Sequence, residues 1–597
     1  MNLDCHQLYQ VYQENPTEIT MALTPREDIE TFGVAKLEGN LITNFIEKPS
    51  REEAPSNLIN SGAFIVDPKC LDLLPEGKSS MEKDCFEKIA PEGKISAYIH
   101  KGEWFPTDTL EKYYHAEKGF GSNSFQINPH IFRGYDIRGV AGKDFNEESV
   151  ENIGKAYGGF LKKSNINKVV VGRDCRLTSK SYSAAMIRGM RWAGLDVTDL
   201  GMTLVGTFYW AQYHLNCPGG AFITASHNPA EYNGMKLANG YSETLVSEEI
   251  QTIKRLVEEE EYQPGGRKGE LEEKDIKLAY FEDMKKRLNI TRKFKVVIDP
   301  GHSTAGILVP EILRYFGMEV IEKHCQIDGN FPAGTPDPTE KELAERLSQE
   351  VLEEKADLGF SYDADGDRIG IVDNQGRIIW NDVLVALFSI EVLRKHPGEK
   401  IMFNTLCSKI VPKTIKKQGG VPFMWRTGHS FLKKKNQEVK AAFIGELSGH
   451  FFFSKDYYNH DDGIYSTLRL LQYLSNTNQS LSEAIDQLDK YHSSPEIKVG
   501  CPDDLKVGIM DKIAVKLRKD FPQAEIIDDE RAGDGVRLDE ENSMFIVRYS
   551  QNGPYLTIKF EATTPEKYEE LKKYINELLH SYEEIDWSFG VNVDSLK

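Results

Sequence analysis

The chain has 597 residues, 40% hydrophobic and 28% charged, with a formal net charge of −20. On a prior of ~150 residues per domain this is an ordinary globular composition with room for about four domains. The acidic balance argues against nucleic-acid and anionic-membrane partners, and no run is long and apolar enough to span a bilayer.

Residues 1–117 mix short β-like runs (Thr31–Leu37, Ile42–Ile46, Gly62–Val66) with loops, and no basic-then-apolar leader precedes them. Small residues between Gly119 and Phe125 read as a linker, placed at 118–127. The texture then becomes repetitively α/β. Lys168-Val-Val-Val-Gly-Arg-Asp, Lys295-Val-Val-Ile-Asp-Pro-Gly and Lys400-Ile-Met-Phe-Asn-Thr each read as a buried strand ending in a polar or glycine loop, with helical patterns after them (Ser183–Ala193, Val309–Phe316). Their spacing predicts three similar α/β units, 128–273, 274–378 and 379–492. From 493 to 585 the order helix (Val507–Asp520), two β-like runs (Met544–Val547, Tyr555–Phe560) and helix (Pro565–Leu579) predicts a smaller α+β domain, followed by a tail at 586–597. Glu258–Glu261 reads as a solvated helix end. Eight cysteines lie far apart with no Cys-x-x-Cys pair, so we expect buried thiols in a reducing cytoplasm and no cysteine zinc site.

Five segments carry candidate chemistry. The run Gly219–Ile223 leads into Thr224-Ala-Ser226-His227-Asn-Pro229, which lifts one hydroxyl onto a constrained loop; a turn serine or helix N-cap would look the same in isolation. Asp363, Asp365 and Asp367, in Ser361-Tyr-Asp-Ala-Asp-Gly-Asp-Arg368, sit between the apolar runs Leu358–Phe360 and Ile369–Val372. Carboxylates at i, i+2 and i+4 repel one another unless a hard cation neutralises them. The EF-hand pattern fails, because its sixth position is Arg368 and its twelfth Asn374. Phe132-Arg-Gly-Tyr135-Asp-Ile-Arg138-Gly brings two arginines to a glycine-flanked segment suited to phosphate, although a surface salt-bridge loop has the same composition. Gly445-Glu446-Leu-Ser448-Gly-His450 offers hydroxyl readers, and Arg548-Tyr-Ser550-Gln551-Asn552-Gly-Pro a turn with one cation and several donors.

Together these segments resemble the α-D-phosphohexomutase superfamily, in its phosphomannomutase/phosphoglucomutase branch, over about 128–585. The resemblance implies four domains around a central cleft: three similar mixed-sheet α/β domains, then a smaller C-terminal α+β domain. It also implies that Ser226 is the phosphoserine and that Mg²⁺ is held by Asp363, Asp365, Asp367 and the Ser226 phosphate. Arg368 would sit beside that phosphate, His227 would be a further catalytic residue, and Lys236 and Arg138 would support proton transfer at the reacting hydroxyl. Tyr135, His429, Glu446 and Ser448 would meet the sugar, while Arg548, Ser550, Gln551 and Asn552 clamp the phosphate that is not reacting. The implied substrates are hexose phosphates, mannose and also glucose, with a hexose 1,6-bisphosphate as activator. Two departures stand out: Ala333-Gly334-Thr335 replaces an Asn-His-His before Pro336-Asp337-Pro338, and Gln551-Asn552-Gly553 alters the phosphate loop.

Glu47-Lys48-Pro49, Asn60-Ser-Gly62 and Trp104-Phe-Pro-Thr107-Asp108 are similar to the second half of sugar-phosphate nucleotidyltransferases of the mannose-1-phosphate guanylyltransferase kind, a partial α/β segment. There Lys48 would meet a sugar phosphate and Asp108 a metal. The family's glycine-rich nucleotide loop is not found upstream, so the segment reads as a degenerate accessory domain, a truncated gene model or a piece completed by another chain. Its missing strands predict an open sheet edge, hence self-association or a partner chain. An active mutase is the principal expectation. A bifunctional mutase and guanylyltransferase, and a non-catalytic sugar-phosphate-binding scaffold, are the alternatives.

Overall fold

The computed structural model describes residues 5–75, 77–102, 104, 126–550 and 553–596. It divides into two compact units, Met1–Ser124 and Phe125–Lys597. Asp108, residues 118–125 of the expected linker, Gln551 and Asn552 lie outside the described residues.

In the first unit, strands Ile19–Pro25, Gly33–Glu38, Leu41–Glu47, Leu58–Val66 and Ile95–Ile99 form one sheet that closes into a barrel. The expectation of an open edge is therefore corrected. Ile95–Ile99 runs parallel to Ile19–Pro25, with Ile19 opposite Ile95 and Leu23 opposite Ile99, and meets the strand Leu41–Glu47 through Leu41 and Ser96. Closure removes the unpaired edge on which the predicted self-association rested. One buried apolar cluster packs Phe45 and Ile95 of the strands with Cys70, Cys85 and Phe86 from the helical segments Pro68–Leu73 and Met81–Phe86. Lys48 is exposed beside Glu47 at 3.8 Å.

The second unit holds three sheets with one arrangement. In the first, Lys168–Arg173 lies between its parallel neighbours Asp196–Met202 and Gly219–Ile223, and Tyr232–Gly240 returns antiparallel to Gly219–Ile223. In the second, Lys295–Asp299 lies between Glu319–Glu322 and Leu358–Tyr362, and Ile369–Asp373 returns antiparallel. In the third, Lys400–Asn404 lies between Val421–Trp425 and Phe443–Gly445, and Phe451–Phe452 returns antiparallel. Each therefore reads second, first, third, fourth strand, with a tight hairpin joining the last two. The third strands (Gly219–Ile223, Leu358–Tyr362 and Phe443–Gly445) are buried at every position, which explains their unbroken apolar character.

One apolar cluster joins the three sheets, with Val170 and Phe222 from the first, Val296 and Phe360 from the second, and Phe403 and Phe443 from the third. On the far side of the first sheet, helices Glu147–Lys163 and Ser179–Trp192 cross at glycines. A Cβ on Gly189 would stand 2.2 Å from the Glu151 carbonyl oxygen, closer than any side chain tolerates. Glu258–Glu261 is exposed at the end of helix Glu248–Glu258, as expected.

The fourth sheet is wholly antiparallel, in the order Glu525–Ile527, Gly535–Asp539, Ser543–Tyr549, Tyr555–Ala562, Ile497–Gly500, Asp586–Val591. Helices Lys506–Asp520 and Pro565–His580 cover one face through Ile513, Leu517, Leu571 and Ile575. Residues 586–591, read from sequence as a tail, form its edge strand. Six of the eight cysteines are buried, whereas Cys5 is exposed and Cys325 half-buried. Among the described residues no helix is long and apolar enough to cross a membrane.

Candidate active site

The three hairpins between third and fourth strands converge. The first carries Ser226, the second Asp363 to Arg368, the third Glu446 to His450. Arg368 and His450 pair as an isolated antiparallel bridge, so the second and third turns meet edge to edge. Ser226 has φ 46°, a left-handed value that a serine adopts only when its surroundings impose it. Those surroundings are identifiable. Thr224 Oγ1 accepts from the Ser226 amide at 2.8 Å. The buried guanidinium of Arg176 donates to the carbonyls of Ser226 (2.7 Å), Asn228 (2.5 Å), Pro229 (2.6 Å) and Tyr232 (3.0 Å). Four carbonyls gripped by one planar cation fix the turn and aim its hydroxyl.

That hydroxyl donates to Asp363 Oδ2 at 2.7 Å and lies 3.2 Å from His227 Nδ1. Burial, with the charges of Arg368 and Arg138 behind it, holds His227 well below the usual imidazole range, so the ring is neutral. Asp363, Asp365 and Asp367 are fully buried and present oxygens within 4.8 Å of one another. Burial and then Asp367 and Asp365 push the Asp363 carboxyl well above its ordinary value. Lys236 enters the same cluster from the fourth strand of the first sheet, donating to Asp365 Oδ2 at 2.8 Å and Asp367 Oδ2 at 2.6 Å. Burial works against its ammonium, but the two carboxylates outweigh it and hold Lys236 charged. Three acids against Lys236 and, 3.9 Å from Asp363, Arg368 leave the cluster short of positive charge, and Asp365 Oδ1 and Asp367 Oδ1 are buried with no hydrogen-bond partner. Hard oxygens at this spacing fit a small divalent cation.

Arg368 donates its amide to Asp363 Oδ1 at 3.2 Å and its Nε to His450 Nε2 at 3.1 Å. The second contact puts the His450 proton on Nδ1, which faces Asp461 Oδ2 at 2.7 Å. Arg138 donates to Asn228 Oδ1 at 2.7 Å and to Asp136, which ties the Phe132–Gly139 segment to the serine turn.

Beyond the serine runs a cleft lined by Tyr135, His227, Arg368, His429, Glu446 and Ser448 from the first three sheets, and by Lys498, Arg548 and Ser550 from the fourth. Tyr135 meets His429 edge-on, with centroids 5.4 Å apart. Glu446 is buried; its Oε1 accepts from the Gly428 amide at 3.0 Å while Oε2 has no partner and faces a binding space in need of a donor. Arg548 is held by Asp534 through both carboxylate oxygens, at 2.9 and 2.7 Å. Arg368, Lys498 and Arg548 enter this cleft among the acids Asp337, Glu446, Glu496 and Asp534, so three cations are held ready there by local carboxylates. This suits an anionic ligand.

Sequence reasoning named every described residue of this constellation except Arg176, His450, Asp461, Lys498 and Asp534. His450 closes the quoted Gly445–His450 segment, and Asp534 sits in a Gly-Asp-Gly turn; neither carried a signal until its partner's position was known. Arg176 follows the quoted Gly-Arg-Asp strand end, where a second buried arginine is a signal that could have been used.

Family models for domains I, II and III of phosphoglucomutase/phosphomannomutase match residues 129–264, 278–376 and 380–491, and a nucleotidyl transferase model matches residues 2–122. A phosphomannomutase/phosphoglucomutase of Pseudomonas putida is 37% identical over 442 residues, which cover 74% of this chain and 94% of that protein. A phosphoglucomutase of Neisseria gonorrhoeae is 33% identical over 77% of this chain and 99% of its own length. The crystal structure of a phosphoglucomutase/phosphomannomutase family protein from Burkholderia thailandensis superposes with a TM-score of 0.70 at 32% identity, covering 76% of this chain and 98% of that one. From Phe125 onward, in sequence and in fold, the chain belongs to the phosphoglucomutase/phosphomannomutase family.

Proposed function

We propose that the second unit interconverts hexose 6-phosphate and hexose 1-phosphate, with mannose and also glucose as the sugar, through a phosphoserine at Ser226. The observation that carries this reading is the convergence of a strained serine and three buried carboxylates at equivalent hairpins, beside a cleft that Arg368, Lys498 and Arg548 enter. In the first half-reaction the bond between phosphorus and Ser226 Oγ breaks as one forms to the free sugar hydroxyl, and the proton that hydroxyl loses is matched by the one Oγ gains, giving a bound 1,6-bisphosphate and a free serine. In the second half, the other phosphoryl group leaves its sugar oxygen for Ser226 Oγ; the serine proton passes to Asp363, 2.7 Å away, and the released sugar oxygen takes a proton from Lys236. Arg368 offsets charge on the transferring group, and Lys236, held as ammonium, is a proton donor in this state. Asp363, Asp365, Asp367 and Ser226 would hold Mg²⁺, which supplies Lewis-acid stabilisation of the phosphoryl oxygens. Glu446 Oε2 is free to accept from sugar hydroxyls. Arg548 and Ser550, with Gln551 and Asn552 by resemblance, would hold the remote phosphate.

The cleft encloses only about 100 Å³. Sites for small ligands hold ~300–1,000 Å³. Entry and reorientation of the bisphosphate therefore need the fourth sheet to draw back, and Arg548 then exchanges Asp534 for a phosphate. Incubation with labelled hexose 1,6-bisphosphate should place one phosphate on Ser226 by peptide mapping, and Ser226→Ala should lose both label and turnover. Undiminished turnover in that variant would sink the proposal, and binding of sugar phosphate without labelling would favour the scaffold alternative. The match over residues 2–122 supports a second reading for the first unit. Formation of GDP-mannose and pyrophosphate from GTP and mannose 1-phosphate by the full chain is its test.

A further inference from the structure

A second convergence of ligating side chains lies in the second sheet, outside the cleft. Asp299 ends the strand Lys295–Asp299, His324 follows the neighbouring strand Glu319–Glu322, and Glu350 projects from helix Lys341–Glu354. His324 Nδ1 is 3.2 Å from Asp299 Oδ2 and 3.8 Å from Glu350 Oε1, and one donor atom from each residue lies within 4.8 Å of the others. Proximity is not the whole observation. His324 Nδ1, the nitrogen that faces both acids, makes no hydrogen bond, and neither does Glu350 Oε2; both atoms are buried. Glu350 is 9% exposed and Asp299 2%. A buried carboxylate oxygen and a buried imidazole nitrogen in one cluster thus stand without a hydrogen-bond partner, a state that costs stability unless a ligand satisfies them.

The surroundings have the form of a metal shell. Asp299 Oδ1 accepts from the Gly301 amide at 3.0 Å, and its Oδ2 accepts from Arg346 Nε at 2.6 Å, so the carboxylate is oriented from outside. His302 stands edge-on to His324, with centroids 5.2 Å apart, and its Nδ1 is fixed by the Gln326 carbonyl at 2.7 Å. The His324 side chain is one-third exposed, which gives an ion a path from solvent. One imidazole with two carboxylates suits a borderline ion of the Zn²⁺ class, whereas the all-oxygen Asp363–Asp367 turn suits Mg²⁺.

The geometry points to a second divalent-cation site, formed by Asp299, His324 and Glu350, that takes a Zn²⁺-class ion and is distinct from the aspartate turn. Arg346 links it to the cleft. The same guanidinium that holds Asp299 donates through Nη1 to the Ala333 carbonyl at 2.6 Å. Ala333 belongs to the loop leading to Asp337 and Thr339, which line the cleft. An ion at Asp299 would thus be felt by the loop in which this chain carries Ala333-Gly334-Thr335.

The test uses untagged full-length chain, stripped with chelator and then saturated with Mg²⁺ to fill the aspartate turn. Titration with Zn²⁺, read by calorimetry and by metal analysis after gel filtration, should give one tight equivalent. Co²⁺ in its place should give visible d–d bands. His324→Gln and the isosteric Glu350→Gln should each weaken that equivalent by about 100-fold or more, with circular dichroism unchanged; if one variant fails to fold, the other decides. No equivalent above the Mg²⁺-saturated baseline overturns the proposal. An equivalent that survives both variants but disappears in Asp365→Asn belongs to the aspartate turn and also overturns it.

Discussion

Replacing Lys236 by methionine keeps the length of the side chain and removes the cation. In the wild-type chain that ammonium is 3% exposed and bonded to two fully buried carboxylates. Removing one partner of a buried pair typically costs ~3–5 kcal/mol, because the remaining charge is stranded. Here Asp365 and Asp367 would be stranded together, while Asp363 keeps Ser226 and Arg368. Spread over a cooperative unit of this size, such a loss lowers the melting temperature by on the order of 3–5 °C. The measurement is calorimetry of the full chain in EDTA and then in Mg²⁺. Because lysine and metal compete for the same oxygens, the variant should bind Mg²⁺ more tightly. At a concentration of about 1,000 times Kd, the ion returns ~4 kcal/mol. The increment in melting temperature on adding Mg²⁺ should therefore be larger in Lys236→Met than in wild type, while turnover stays about 10²–10⁴-fold lower for want of the proton donor. An EDTA melting temperature within 2 °C of wild type, or an equal Mg²⁺ increment in both chains, would refute the electrostatic account of the cluster.

Two other outcomes follow from the same geometry. Arg548→Ala removes a charge-assisted contact to the remote phosphate, worth ~1.5–3 kcal/mol, so KM for hexose 1-phosphate should rise about ten- to hundredfold with a smaller change in kcat. Asp462 caps helix Gly463–Thr477 and accepts from Tyr280 and Tyr457; burial pushes its carboxyl up to about 6. The folded chain thus holds a proton that the unfolded chain has released, and Asp462 contributes stability that is present below about pH 4 and lost as pH rises through 6. Across that window the loss is roughly 3 kcal/mol. Denaturation at pH 4.5 and 7 should show Asp462→Asn, which keeps the cap, lacking that share of the wild-type slope; identical slopes in the two chains would contradict the assignment.

How much of this was legible depended on whether its cause was local. Ser226 was visible because an unbroken apolar run must stop at a turn, and Asp363, Asp365 and Asp367 because three acids between two buried strands need a counter-charge. The three repeated sheets were visible as a rhythm of strand ends, although only the pairing revealed that all three share one strand order. What stayed hidden was the long-range half of each interaction. Lys236 meets its acids across about 130 residues, Arg548 is spoken for by Asp534, and Arg176 holds a turn fifty residues away. The first unit closes through a parallel pair, Ile19–Pro25 with Ile95–Ile99, that no local pattern announces. Asp586–Val591 is mostly exposed, so it lacks the alternation that marks a strand.

The site stands on three legs, each rooted in a different sheet, and no leg carries enough of the chemistry to work alone. The distance from Ser226 to Asp363 and the seating of Arg368 against His450 are set where the sheets press on one another, in the shared apolar cluster. Any agent that loosens that seam, whether mild denaturant or a cavity far from the cleft, should splay the legs before a single strand is lost. Inactivation would then run ahead of unfolding, and the enzyme's working limit would be the stiffness of its joints.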